Sequence, residues 1–383
     1  MKYLFFLWTF SLFSQLQVDV SARSAILMNA NTGAILYEKN AHSRQYPASI
    51  TKIATALYAL EEKQPDLDKI VNISSEVVRL KPAKGKENVP SHWNEIDGTS
   101  MKLMKGEMLP FDSLFYGMMR ISGNDAANAI AENLSPSIPH FVDELNQYLA
   151  RIGCRNTNFC NPHGLHHEDH YTTAYDMCLI TQKALQNQKF RHIVSNDFYQ
   201  KPATNKQAKA ELQQKNALVR EGKYFYPKAL GVKTGYHSSA KYTLVGAAEH
   251  HGRELIAVIL GCETRDDRYK DAIRLFDAAF AEVEEARVFF KNGQTFHHIA
   301  EGAKTPLVAV LQSDLSLTYF PSEEPQCKAF VHWDKTALPI RKGQKVGSVR
   351  ITDIAGNVLQ KGELVAKDEV KPTFSHIVKN LFK

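Results

Sequence analysis

The chain has 383 residues, 44 % of them hydrophobic, and a formal net charge of +6. Such a length supports two moderate hydrophobic cores more readily than one. The positive charge is spread out rather than gathered into a basic block, which argues against nucleic acid as a partner and allows attraction to anionic membrane or wall surfaces.

The first elements read as an export signal. Lys2, an apolar stretch from Tyr3 to Phe13 and the small-residue pattern Val20-Ser21-Ala22 fit a signal peptide over residues 1–22 cleaved after Ala22. The apolar stretch is too short for a stable span, and an uncleaved anchor is the competing reading. "SAILMNANTGAILYEKN" gives two apolar runs around Asn31-Thr32-Gly33 and predicts a β-hairpin. Ile53, Leu57 and Leu60 mark a helix over residues 50–60. Residues 81–98 are rich in Lys, Pro and Gly, without periodicity, and predict a long loop. Helices follow at about 111–121, 125–134 and 139–152, broken at Ser122-Gly123-Asn124. Another starts after Thr173, an N-cap with Asp176 in the first turn. "YTLVGAAE" and "ELIAVILGC" predict adjacent antiparallel strands, and "DDRYKDAIRLFDAAFAEV" a helix with Ile273, Phe276, Ala279 and Phe280 on one face.

Beyond residue 284 the texture changes to short strands between turns, as in "LVAVLQ", "KAFVHW" and "KVGSVRITD". The spacing suggests a small all-β sandwich over residues 284–370, after an α+β domain over residues 23–283. In the last stretch, 371–383, Phe374, Ile377, Val378, Leu381 and Phe382 recur at helical spacing among Lys371, Lys379 and Lys383. A helix of that kind either lies in a membrane interface or packs on its own domain. The five cysteines, Cys154, Cys160, Cys178, Cys262 and Cys327, are too few and scattered for a disulfide framework. Cys154 and Cys160 form a candidate pair, and Cys178 sits in an apolar helical stretch that predicts burial.

Three short motifs bear chemistry. Ser49 and Lys52 lie three apart, so on a helix they share a face and the lysine can reach the hydroxyl. Taken alone, this pair reads better as an ordinary helix start with a solvated lysine than as a catalytic pair, because a lysine serves as a base only when burial or a nearby cation keeps it neutral. Ser122-Gly123-Asn124 can present a hydroxyl and an amide from an interhelical break. Lys233 and Thr234 can bind a carboxylate, and Gly235 lets the backbone approach a ligand closely. The three in this order make coincidence a poor explanation.

The set resembles the Ser-x-x-Lys, Ser-x-Asn and Lys-Thr-Gly motifs of β-lactamases and penicillin-binding proteins. Longer stretches, "YPASITKIATALYAL", "ISGNDAANAIAE", "NPHGLHHEDHYTTAYDM" and "ALGVKTGYHSSAKYTLVGAA", are similar to the D-alanyl-D-alanine carboxypeptidases among the low-molecular-mass penicillin-binding proteins. The likeness covers roughly residues 24–282. It implies a β-lactamase/transpeptidase-like fold, an antiparallel sheet packed with helices, followed by the small β-sandwich and a terminal helix that anchors the protein at the outer face of the cytoplasmic membrane.

The resemblance also implies roles. Ser49 would be the nucleophile, Lys52 its base and Ser122 a proton relay to the leaving D-alanine. Asn124 would hold the substrate peptide and Lys52, while Lys233, Thr234 and Gly235 bind the terminal carboxylate region, and the backbone N–H groups of Ser49 and Tyr236 form the oxyanion hole. The expected partners are peptidoglycan stem peptides, with β-lactams as covalent inhibitors, and no cofactor or metal is expected. Two departures stand out: Lys241 replaces a frequent glycine, and Glu263 stands where some relatives carry a carboxylate-binding arginine, for which Arg265 or Arg268 would have to substitute. The loop at 81–98 also looks longer than usual.

Competing readings are a D,D-endopeptidase of cross-linked wall, a β-lactamase and a catalytically idle wall-binding protein. The Glu-x-x-Leu-Asn stretch by which class A β-lactamases activate water is missing between Ser122 and Lys233, and Gly123 stands where those enzymes have Asp. The intact motif residues speak against the idle scaffold. His163, His166, His167 and His170 suggest a metal site, but Gly164 and the family's own "NPHGL" segment favour a structural loop.

Overall fold

The computed structural model describes residues 3–5, 15–82 and 89–381. The chain divides into two compact units, one spanning Gln15–Ala281 and the other Glu282–Lys383 together with the N-terminal residues Met1–Ser14. The expected α+β architecture followed by a β-rich unit is what the structure has.

The first unit is organised around a five-stranded antiparallel sheet. Its strands are β1 (Ser24–Asn29), β2 (Ile35–Lys39), β3 (Ala229–His237), β4 (Lys241–His250) and β5 (Arg253–Cys262), in the order β2-β1-β5-β4-β3. The β1–β2 hairpin turns where Asn29 Oδ1 accepts from the N–H groups of Asn31 and Thr32, with Gly33 at φ 76°. All ten residues of β5 are buried, as a central strand covered on both faces requires.

Alternation along the strands sorts the core into two layers. Ile26, Met28, Val245, Ala247, Ile256 and Val258 face one way, toward the helices that carry the first two motifs. Ala25, Leu27, Leu244, Ala248, Leu255 and Ala257 face the other way, toward Leu275, Phe276 and Ala279 of the last helix of the unit. The Lys-Thr-Gly motif therefore lies on an edge strand, β3, while the Ser-Lys helix is buried against the sheet.

The helices are α1 (Thr51–Tyr58), α2 (Phe111–Arg120), α3 (Asn124–Leu134), α4 (Ile138–Arg151), α5 (Ala174–Leu185), α6 (Gln188–Ser195) and α7 (Arg265–Phe280). The helix expected from residue 50 begins instead with a 3-10 turn, Ala48–Ile50, so Ser49 precedes the first α-helical residue. Thr173 caps α5 as expected, its Oγ1 accepting from Asp176 N at 3.0 Å. Thr264 caps α7 in the same way through Asp267 N.

In the second unit, Thr295–His298, Leu307–Leu311, Cys327–Trp333, Lys345–Asp353 and Val358–Ala366 build one sheet, with Tyr3–Phe5 paired at its edge along Ala329–Val331. Glu285–Phe290 and Leu315–Tyr319 pair separately. Phe296, Leu307, Leu311, Val349, Ile351 and Leu364 form its core. The terminal helix spans Phe374–Leu381, and no helix among the described residues is long and apolar enough to cross a membrane.

All five cysteines are free, which corrects the candidate Cys154–Cys160 pair. Cys154 is buried with its thiol 3.8 Å from Asp176 O, whereas Cys160 lies 3.5 Å from His167 Nδ1; each thiol has its own surroundings. Most of the apolar part of the expected signal segment lies outside the described residues. Residues 15–22 run along the first unit, where Val20 and Ala22 are buried and Ala22 N donates to Asp271 Oδ2 at 2.9 Å. The described ends of the 81–98 loop are tied down, with Lys81 N and Asn94 O joined at 2.8 Å; residues 83–88 lie outside the described residues.

Candidate active site

The three motifs converge on one open cleft of about 650 Å³. Ser49, Ser122, Asn124, Thr234, Gly235 and Tyr236 all line it, while Lys52 and Lys233 lie at its floor with no more than 1 % of their surface exposed.

Lys52 is the most informative side chain. Its Nζ lies 3.1 Å from Ser49 Oγ, 2.7 Å from Asn124 Oδ1 and 2.7 Å from the carbonyl oxygen of His163. Burial, and after it the charge of Lys233, hold its pKa well below the ordinary lysine value. When Lys52 is neutral it has two N–H bonds and one lone pair. Two of its partners are carbonyl oxygens that can only accept, so they take the N–H bonds and the lone pair is left facing the Ser49 hydroxyl. The surroundings thus set both the protonation state and the direction of the base.

Lys233 Nζ donates to Ser122 Oγ at 3.0 Å and to Thr234 O at 2.9 Å. Desolvation, then Lys215 and Arg268, lower its pKa to about 7. Ser122 sits at φ 65°, a left-handed conformation that is strained for a residue with a Cβ, and so turns its hydroxyl between α2 and α3. Asp125 fastens the same corner. Its carboxylate accepts from Met101 N at 2.9 Å, Leu103 N at 3.0 Å and Ser100 Oγ at 2.6 Å, tying the loop before α2 to the start of α3.

Two glycines are required by close approach. A Cβ on Gly235 would fall 2.4 Å from Thr243 Oγ1 and 2.9 Å from Ser49 N, so only glycine lets β3 lie against the nucleophile's backbone. A Cβ on Gly164, at φ 94°, would fall 1.9 Å from Ala48 O. That contact seats the "NPHGL" loop under Ser49 and brings the His163 carbonyl to Lys52. Thr55 Oγ1 donates to Pro162 O at 2.6 Å and holds the loop from the other side.

Both buried histidines of that loop are occupied by the protein. His163 Nε2 donates to His92 O at 3.0 Å while Nδ1 accepts from Leu165 N at 3.2 Å. His170 Nδ1 accepts from Cys160 N and Nε2 meets Thr51 Oγ1 at 2.9 Å. Burial lowers the pKa of His163 well below its usual value and that of His170 to about 3, so both rings are neutral braces.

The two departures from the motif pattern explain one another. Lys241 has φ 57°, a conformation that glycine adopts without strain, and its Nζ lies 3.3 Å from Glu263. Glu263 also pairs with Arg23, so its carboxylate is held on the surface. Arg268, one of the two arginines expected to substitute, is committed inside the fold: its guanidinium donates to Gly235 O at 2.9 Å and Thr243 O at 3.2 Å, fixing the β3–β4 edge. Arg265 lines the cleft.

Some contributors carry no motif signal. The His163 carbonyl acts through the backbone, and Lys215, Glu95 and Asp97 reach the cleft from loops whose course the local sequence does not fix. Asp125 was readable in principle, as an acidic residue directly after Asn124 at a helix start.

Comparison with known proteins agrees with this geometry. Residues 12–264 match the D-alanyl-D-alanine carboxypeptidase family, and residues 285–372 match the C-terminal domain of penicillin-binding protein 5. The chain is 31 % identical over 354 residues to the D-alanyl-D-alanine carboxypeptidase DacF of Bacillus subtilis (strain 168), covering 91 % of this chain and 86 % of that one. It is 29 % identical over 366 residues to DacA of Haemophilus influenzae, covering 92 % and 86 %. Among solved structures it is similar to penicillin binding protein 5 from Haemophilus influenzae, with TM-score 0.63, 27 % identity and coverage of 92 % and 98 %. The Streptomyces K15 DD-transpeptidase is similar over 69 % of this chain and 98 % of that one, with TM-score 0.61 and 29 % identity.

Proposed function

The chain belongs to the D-alanyl-D-alanine carboxypeptidase family of serine peptidases, and from that premise we propose that it removes the terminal D-alanine of peptidoglycan pentapeptide stems through an acyl-enzyme on Ser49, and that penicillins acylate the same serine. The observation that carries this reading is the Lys52 environment: a buried amine, 3.1 Å from Ser49 Oγ, whose other two partners leave its lone pair for that hydroxyl.

In the reaction so read, Lys52 takes the Ser49 proton as Oγ forms its bond to the carbonyl carbon between the two D-alanines. The N–H groups of Ser49 and Tyr236 receive the developing oxyanion. Lys233 and Thr234 hold the terminal carboxylate. Ser122, hydrogen-bonded to Lys233, passes a proton to the departing amine as the C–N bond breaks. Asn124 offers its amide N–H to the stem peptide while its Oδ1 orients Lys52. Water then hydrolyses the ester, leaving a tetrapeptide stem.

Incubation with a pentapeptide stem followed by mass spectrometry tests the reaction, with the mass of one alanine expected to be lost. Fluorescent penicillin tests the nucleophile: stable label on the wild type and none on Ser49→Ala. Label persisting on folded Ser49→Ala would displace Ser49 from the role.

We further propose that the protein is exported and works at the outer face of the cytoplasmic membrane. Val20-Ser21-Ala22 supports cleavage after Ala22, and since Val20 and Ala22 are buried in the folded chain, such a cut is made before this segment packs. N-terminal sequencing of the mature protein checks it. Phe374, Ile377 and Val378 are exposed on the terminal helix, at 81 %, 44 % and 36 %, which supports an interfacial anchor. Deletion of residues 371–383 should release the protein from membranes with its activity intact.

A further inference from the structure

One wall of the cleft is a turn that the peptidase chemistry leaves unused. Glu95-Ile96-Asp97-Gly98 closes on itself, with Gly98 N donating to Glu95 O at 3.0 Å, and Glu95, Asp97, Gly98 and Thr99 line the cleft. The turn is fastened to the start of α3, because Asn124 N donates to Thr99 O at 2.8 Å and a Cβ on Gly98 would fall 3.2 Å from Asn124 Nδ2. Asn124 lines the cleft with only 4 % of its surface exposed. Its Oδ1 accepts from Lys52, but its Nδ2 makes no hydrogen bond among the described residues. A buried donor left open beside the turn calls for an acceptor, which the backbone of a bound stem peptide supplies.

Position along β3 decides which part of the stem reaches that turn. The terminal carboxylate is read at Lys233 and Thr234 and the scissile carbonyl at the Tyr236 N–H, so the acyl side of the stem continues past Tyr236 toward His237 and Ser238, which also line the cleft. Glu95 and Asp97 exert their charge on His237, and neither is among the groups that act on Lys233 or Lys52. Both carboxylates therefore lie at the acyl end. Lys81 is the one lysine or arginine that acts on His237 beside them, so the acids outnumber it there. Among the described residues neither Glu95 nor Asp97 has a side-chain hydrogen bond or ion pair, although both line the cleft. Two open carboxylates at that end favour a stem residue that brings a cation.

We propose that Glu95 and Asp97 select stems in which the residue before D-Ala-D-Ala ends in a free amine, the two carboxylates holding that ammonium while Asn124 Nδ2 meets the stem backbone beside them. This rests on the peptidase reading and names the substrate class of that site. The reacting atoms are unchanged, since the ammonium is bound on the acyl side and takes no part in the exchange at Ser49. Asp97 is exposed and Glu95 half-buried, so water screens the attraction and the outcome is a preference of several-fold rather than an absolute requirement. Acylating the amine, as a cross-link does, removes its charge. The site therefore favours stems that are not yet cross-linked through that residue.

The test compares two forms of L-Lys-D-Ala-D-Ala, one acetylated on the α-amine alone and one on both amines, with wild type and the double variant Glu95→Gln/Asp97→Asn. The wild type should cleave the peptide with the free ε-amine with kcat/KM about fivefold above that of the diacetylated one, mainly through KM, and the preference should shrink as salt is added. The double variant should cleave both peptides alike, with kcat/KM for the diacetylated one within about twofold of wild type. A wild type that treats the two peptides equally overturns the proposal. So does a double variant that keeps the preference, or one that loses both peptides in proportion. In each of these cases wild-type cleavage of the diacetylated peptide leaves the peptidase reading standing. Cleavage of neither peptide by the wild type overturns both.

Discussion

The two compact units handle buried polarity in opposite ways. The first buries Lys52, Lys201 and Lys233 with 1 % or less of their surface exposed, and Arg120 with none, its guanidinium 5.5 Å from the Tyr116 ring. In the second, the buried polar residues among the described ones are Ser322, Ser348 and Thr352, and the core is otherwise apolar. Taking an ammonium out of water costs several kcal/mol even after relaxation. A fold retains that cost where the lowered proton affinity is used, as it is at Lys52. The β unit has no such use for buried cations, and its alternating strands, as in Cys327–Trp333, keep polar groups outside. Substitutions should therefore separate activity from stability along the same division.

The largest effect is expected for Lys52→Met. It removes the base and its three hydrogen bonds, so penicillin acylation and peptide hydrolysis should fall by about 10³-fold or more. Thermal stability should change little, because the gain from replacing a desolvated amine with an apolar chain is offset by the buried acceptors, Asn124 Oδ1 and the His163 oxygen, that lose their donor. Calorimetry and acylation rates on the same sample check both halves. A folded variant that keeps its acylation rate would break the contrast between the units.

Leu364→Ala is the converse change. Leu364 is fully buried in the β unit, and the cavity should cost about 2–5 kcal/mol. Denaturant melts followed by tryptophan emission, to which Trp333 of the β unit contributes, should shift to lower midpoint while kcat/KM stays within about twofold of wild type. Loss of activity in step with loss of stability would show that the peptidase unit leans on its neighbour.

How much of this was readable beforehand follows from the range of the interactions involved. The hairpin at residues 24–39, the Thr173 cap and the strand pair around residues 250–253 depend on turn chemistry and local alternation, which the sequence carries directly. The five-stranded order does not, because pairing β1 with β5 joins residues more than two hundred positions apart. At the site, Ser49, Lys52, Ser122, Asn124 and Lys233 stand out as a motif set, yet no spacing rule reveals that the His163 carbonyl completes the Lys52 shell. Nor does sequence alone distinguish Arg268, whose guanidinium is tied to the carbonyls of Gly235 and Thr243, from Arg265, which lines the same cleft without a hydrogen bond of that kind among the described residues.

The smallest effect tests the electrostatics of the contrast. Lys233 is held at about 7, against 10.5 when unfolded. Between those values the unfolded chain binds the proton and the folded chain does not, so this group makes stability increase as pH rises from about 7. Buried Cys154, Cys178 and Cys262 oppose it at higher pH, because burial raises their thiol pKa values and the unfolded chain ionises first. The useful window is therefore about pH 7 to 8.5. Over that window the wild type should gain more in Tm than Lys233→Met, which lacks the titrating group but keeps the cysteines. Since Lys233 must be cationic to hold a carboxylate in the free enzyme, kcat/KM for the peptide should decline above about pH 7. A wild type whose Tm follows the same pH course as Lys233→Met, with kcat/KM level to pH 8.5, would mean that Lys233 keeps an ordinary lysine pKa and that burial in the peptidase unit is less dry than its geometry indicates.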